Sequence, residues 1–173
     1  RIYSMTKTVT SVAVMMLVEE GKLTLDDPLS RYLPGFQAPQ VMVGGTADAP
    51  KLRAAAKPVT LHALLTHTAG YPAGVKGDEQ AVTLMERIDP HGASDLRGFA
   101  ERMSRVPLAA DPGTRFGYDG ASLELLARVV EVVSGQSFDR FLRQRIFEPL
   151  AMHDTGFSVP AAQRARVVDL TRM

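Results

Sequence analysis

The chain has 173 residues, a formal net charge of +1, 45% hydrophobic and 23% charged residues, and no cysteine. That length supports one core of ordinary size, the near-neutral charge offers nothing to a nucleic acid or other polyanion, and no apolar run reaches the roughly 20 residues of a membrane span. Without cysteine there is neither a disulfide framework nor a thiolate metal site, which fits a reducing or an oxidising compartment equally.

The chain opens on Ser4-Met5-Thr6-Lys7, followed by an apolar stretch that ends at Gly21. A serine and a lysine three positions apart share one helix face, close enough for hydroxyl and amine to meet. At a helix start the dipole favours an ionised serine oxygen and disfavours a charged lysine, and that pairing makes a nucleophile without a histidine. Alone the pair is weak, since chance supplies one in roughly every two or three chains of this length. The competing reading is a capping serine with a solvated lysine. Its flank argues for function: Val12 to Val18 is apolar on every side, which predicts a buried helix with a lysine at its mouth that must be paired or neutral.

Gly21 suits a left-handed helix end. Lys22 to Leu25 alternates like a short strand, and Asp27 with Pro28 reads as N-cap and first position of a turn through Leu29 and Tyr32. Residues 35 to 57 lose periodicity and read as a long loop. Thr60 caps a short buried helix that leads to His67, read as a hydrogen-bonded structural histidine in preference to a ligand. A helix is predicted from Glu79 to Ile88, and another capped by Ser94 with Leu96, Phe99, Ala100 and Met103 inward. His91 has no partner at metal-ligand spacing. Asp111 to Thr114 is a turn, Leu123 to Val133 a strongly apolar helix closed by Gly135, and Ser137 caps a last helix ending at Pro149. Residues 164 to 173 read equally as strand or helix. The segment is therefore mainly α with long loops.

Several stretches coincide with one family. Ile2-Tyr3-Ser4-Met5-Thr6-Lys7, Val18 to Pro28, Tyr32-Leu33-Pro34, Leu64 to Gly70, Pro112-Gly113-Thr114, Tyr118 and Pro149 to Met152 resemble the serine beta-lactamase-related hydrolases. That group holds class C beta-lactamases, D-alanyl-D-alanine carboxypeptidases and family VIII esterases. The resemblance runs in order from residue 1 to about residue 157. It implies the helical part of an α/β fold, with the sheet largely missing from this chain. The expectation is a partial domain over residues 1–173, truncated at both ends, since the chain begins at Arg1 with its candidate nucleophile at position 4.

The resemblance also implies catalytic residues: a nucleophilic Ser4, a Lys7 that helps deprotonate it, and a Tyr118 whose phenol relays the proton. Lysine and tyrosine side chains titrate near 10 in water, so each needs its neighbours to serve near neutrality. Two features depart from the family pattern. The tyrosine commonly begins a Tyr-Ser-Asn or Tyr-Ala-Asn triplet, whereas this chain reads Tyr118-Asp119-Gly120 and lacks the asparagine amide that grips a substrate amide. A late Lys-Thr-Gly or His-x-Gly motif is also absent, and with it the strand that supplies an oxyanion donor worth roughly 3 kcal/mol.

The functional expectation is a serine hydrolase forming an acyl-enzyme on Ser4, foremost a carboxylesterase on small esters. Beta-lactamase or D-alanyl-D-alanine carboxypeptidase is the alternative within the same chemistry. A non-catalytic peptidoglycan-binding sensor or scaffold that keeps the fold is the alternative from another class. No cofactor or metal is called for, and the partner is a small-molecule ester or amide. The sequence does not decide between a periplasmic or secreted and a cytoplasmic location, nor does it set the oligomeric state.

Overall fold

The computed structural model describes residues 2–168. Tyr3–Met5 forms a single 3-10 turn that runs directly into α1 (Thr6–Glu19), which Gly21 closes at φ +68°. Thr10, Ala13, Val14 and Leu17 bury one stripe of α1, but Val12 and Met15 are exposed. The expectation of burial all round therefore fails on that side, because within the described residues only one face of this apolar helix has a partner.

Residues 22–25 form no strand; Leu23 is simply buried in a loop. Asp27 does not cap a helix either. Its carboxylate turns back to accept from the Thr24 N–H at 2.8 Å, Arg31 Nη1 at 2.7 Å and the Tyr32 hydroxyl at 2.6 Å, and only a 3-10 turn (Leu29–Arg31) follows. The stretch is clamped to the segment before α2 (Leu61–Leu65) by Leu29 N–H to Val59 O, Leu61 N–H to Asp27 O and His62 N–H to Leu25 O. Thr60 caps α2 as predicted, accepting from the Ala63 N–H at 3.1 Å.

The supposed long loop holds a hairpin: β1 (Gln40–Gly45) pairs antiparallel with β2 (Pro50–Ala54), with an irregularity between Met42 and Gly44. Its anchor lies outside its own sequence. Val41 is buried, and the Met42 N–H and Leu108 N–H exchange bonds of 2.8 Å with Leu108 O and Gln40 O. This is the only sheet among the described residues. Next come α3 (Glu79–Ile88), α4 (Leu96–Met103), α5 (Ala121–Ser134) and α6 (Phe138–Leu142), the last continued by a π turn over Arg143–Phe147. Asp95, rather than Ser94, caps α4 through the Gly98 N–H at 2.7 Å, and Ser137 occupies the start of α6 without a capping bond. Residues 164–166 lie in a 3-10 turn, while 169–173 lie outside the described residues.

Helix α5 organises the core: Leu125, Leu126, Val129 and Val130 are fully buried, and α1, α2, α4 and α6 all pack on it. The mainly helical architecture with long loops is thus as expected. Its consequence for the site is that α1 and the N-terminus of α5 lie side by side.

Candidate active site

Ser4 sits in the 3-10 turn that precedes α1, and Lys7 in the first turn of α1. The residue before the serine, Tyr3, has φ +42°, a left-handed conformation uncommon for a side chain of that size. The turn aims both polar groups to the same side. Lys7 Nζ donates to Ser4 Oγ over 3.4 Å.

Tyr118 arrives from the segment just before α5. The Lys7 ammonium stands 5.0 Å from the centroid of its ring. The Ser4 hydroxyl first, then Lys7, holds the Tyr118 phenol below the ordinary tyrosine value, while partial burial and the charge of Asp119 push the other way. Residues 4, 7 and 118 therefore converge. A half-exposed phenol between a hydroxyl and an ammonium can pass a proton between them.

What places Tyr118 is a strap laid over the loop after α2. Gly70, at φ +92°, lets that loop pass close to residue 110: a Cβ there would come within 2.2 Å of Ala110 O. Gly70 O accepts from the Ala109 N–H at 2.7 Å, Thr68 O from the Gly113 N–H at 2.8 Å, and His67 O from the Gly117 N–H at 2.9 Å. Two ion pairs brace the flanks. Arg53 chelates Asp111, and Arg115 Nη2 reaches the buried Asp78 at 2.6 Å. Asp111 sits at about 2, held down chiefly by Arg53 and then by the Ala56 N–H.

Three residues at the site escaped the sequence reading. Asp119, assigned no role from the sequence, is buried and accepts from the Ser122 N–H at 2.6 Å, Ser122 Oγ at 2.8 Å and His67 Nδ1 at 3.1 Å. His91, without a partner in the sequence, pairs through Nε2 with Glu124 at 3.0 Å. Burial raises the pKa of the Glu124 carboxyl against the pull of His91 and Lys7. The Asp119-x-x-Ser122 spacing was the available signal, being that of a capping aspartate. Nothing in sequence spacing links His91 to Glu124.

Beside Lys7 lies a cavity of about 550 Å³, with Leu96, Leu123, Glu124, Phe138 and Phe157 on its walls. Ser4 and Tyr118 lie outside its lining, and Lys7 is the wall it shares with the Ser4–Tyr118 cluster. Among the described residues no His, Asp and Glu side chains group in a way that would hold a metal.

Residues 1–173 match the family profile described as beta-lactamase. The chain belongs to the beta-lactamase family. The lovastatin esterase of Penicillium rubens is 36% identical over 170 residues, covering 96% of this chain and 42% of that protein. Esterase EstB of Burkholderia gladioli is 34% identical over 173 residues, covering 96% of this chain and 40% of its own. Among solved structures, unliganded simvastatin synthase from Aspergillus terreus superposes with a TM-score of 0.71 at 28% identity, over 93% of this chain and 39% of that one. Other relatives carry the names penicillin-binding protein 4 and putative D-alanyl-D-alanine carboxypeptidase. The chain thus spans about two fifths of the length of the two esterases it matches. As a beta-lactamase family member it displays the helical side of the fold, in keeping with the resemblance read from the sequence.

Proposed function

We propose that this segment carries the nucleophile of a serine hydrolase acting on small carboxylic esters. The observation that supports it best is the convergence of Ser4, Lys7 and Tyr118, with Lys7 Nζ 3.4 Å from Ser4 Oγ and the phenol drawn below its usual value by both. Ser4 Oγ attacks the ester carbonyl while its proton passes to the Lys7–Tyr118 pair. The same proton then goes to the departing alkoxide, leaving an acyl-Ser4 ester. Water repeats the sequence to release the acid. This mechanism also calls for an oxyanion donor at the carbonyl oxygen.

Esters are preferred to lactams and peptides because position 120 offers no side-chain donor for a substrate amide. The relatives named as esterases support the same choice. Reaction with a fluorophosphonate probe, and a burst of p-nitrophenol from p-nitrophenyl acetate, test the reading on the whole protein. Labelling should localise to Ser4 and vanish in Ser4→Ala. A folded protein with intact Ser4 that never labels would be a binding or scaffold protein instead, and the hydrolase reading would fall.

A further inference from the structure

His67 makes contacts that an ordinary packed histidine has no need of. Its backbone is left-handed at φ +54°, a conformation that a non-glycine residue holds only when its surroundings impose it. Apart from a turn bond from its own N–H to Leu64 O, every hydrogen bond and ring contact described for His67 goes to residues 116 to 119. Its carbonyl takes the Gly117 N–H, and its ring meets Phe116 edge-on at 6.2 Å. The Tyr118 ring lies 4.7 Å away, tilted by 45°. Its Nδ1 lies 3.1 Å from the Asp119 carboxylate and 3.4 Å from the Asp119 N–H; because a carboxylate only accepts, the shorter contact places the proton on Nδ1. The residues on both sides of Tyr118 are thus fastened to one side chain and its carbonyl. Asp119 carries that fastening onward to the first turn of α5 through Ser122.

We propose that His67 and Asp119 are positioning residues, a buried pair that holds the Tyr118 phenol against Ser4 and Lys7. This rests on the reading of Ser4, Lys7 and Tyr118 as the reacting groups. Neither His67 nor Asp119 touches Ser4 or Lys7 in the described contacts, so they act through the tyrosine. The charge of Asp119 works against the phenol: it pushes the phenol up, opposite to Ser4 and Lys7. Electrostatics alone would favour a neutral residue there. The carboxylate therefore serves the site by geometry, gripping His67 and the helix start at once.

The test uses the whole protein. His67→Gly removes the ring and keeps the left-handed backbone at no steric cost, and a urea melt checks that the variant is folded under assay conditions. His67→Asn tolerates the same backbone and returns a donor to Asp119. With p-nitrophenyl butyrate, His67→Gly should lose on the order of 10- to 100-fold in kcat with KM nearly unchanged, the cost of a misplaced group. Asp119→Asn should do likewise, and His67→Asn should recover part of the loss. In a Tyr118→Phe background the same substitutions should change kcat by less than about two-fold, because the group they position is gone. Equal losses in both backgrounds would overturn the proposal.

A second readout needs no turnover. The ultraviolet titration of Tyr118, taken as wild type minus Tyr118→Phe, should move up toward about 10 in His67→Gly and Asp119→Asn as the phenol leaves Ser4 and Lys7. A midpoint that stays, or that falls as loss of a negative charge alone requires, refutes positioning. Were Ser4 never to label, the functional reading would fail by itself and this titration would still decide the role of the pair.

Discussion

Asp27 lies in the motif Leu25-Asp26-Asp27-Pro28 and is almost fully buried, yet its carboxylate collects three donors: the Thr24 N–H, Arg31 and the Tyr32 hydroxyl. Led by the Tyr32 bond and then the Thr24 bond, these lower its pKa to about 2. Burial first, and the same carboxylate second, push Tyr32 up to about 12, so the phenol remains a donor across the working range. A carboxylate with a depressed folded value adds stability that is complete above its unfolded pKa, near 4, and is lost as the pH falls toward 2. Two units at about 1.4 kcal/mol each set a ceiling near 3 kcal/mol. Because the Arg31 side chain is 62% exposed and its share is screened, on the order of 1 to 2 kcal/mol should be realised. Asp27→Asn keeps the shape and removes the charge. Urea unfolding of both proteins from about pH 7 down to about pH 2.5 should show the variant weaker by that amount near neutrality and nearly equal at the acid end. A gap that stays constant with pH, or no gap near neutrality, would refute the reasoning.

Three further outcomes are expected. Ser4→Ala should abolish ester hydrolysis, Lys7→Ala should nearly do so, and Tyr118→Phe should cost about 10²- to 10⁴-fold in kcat; a Tyr118→Phe enzyme within a few-fold of wild type would remove the phenol from the mechanism. In Gly120→Asn the new side chain enters open space, since a Cβ there meets nothing within 4 Å. Nitrocefin kcat/KM should therefore rise relative to p-nitrophenyl butyrate, and a fall or no change would separate the asparagine from lactam preference. Gly70→Ala combines a backbone at φ +92° with a clash at Ala110 O and should lose about 2–4 kcal/mol in urea unfolding, whereas a loss under about 1 kcal/mol would mean that the loop yields freely.

Helices with strong periodicity and end signals were legible in the sequence: α1 with Gly21, α3, and α5 with Gly135 fall where expected. The hairpin was not. Gly44-Gly45 and Pro50 punctuate it, β2 is exposed along most of its length, and β1 is held by Leu108, more than sixty residues downstream. A bond of that span leaves no local pattern. The first helix misled in the opposite direction, because an apolar residue such as Val12 states what a face tolerates and cannot say whether a partner covers it. At the site, helical spacing brings Ser4 and Lys7 together, while their roles and Tyr118 came from the family resemblance. The pairing of Asp119 with His67 stayed hidden for a physical reason. Aspartate before glycine is ordinary turn chemistry, and only the fold brings a histidine fifty-two positions away against it.

Lys7 rides on α1 with Ser4 in the turn just ahead of it, and Tyr118 hangs just ahead of α5. The two helices pack on each other, and their buried side chains, Leu17 and Leu126 among them, take no part in bond making. The spacing between lysine and phenol is therefore a gauge of how the two helices pack. A substitution that trades one methyl group for another there can leave the melting curve alone and still slide the helices by tenths of an ångström. Selection for a new substrate would find such positions useful: they tune rate in small steps without touching a reacting group, and they do so from sites that a survey of the active-site surface would pass over.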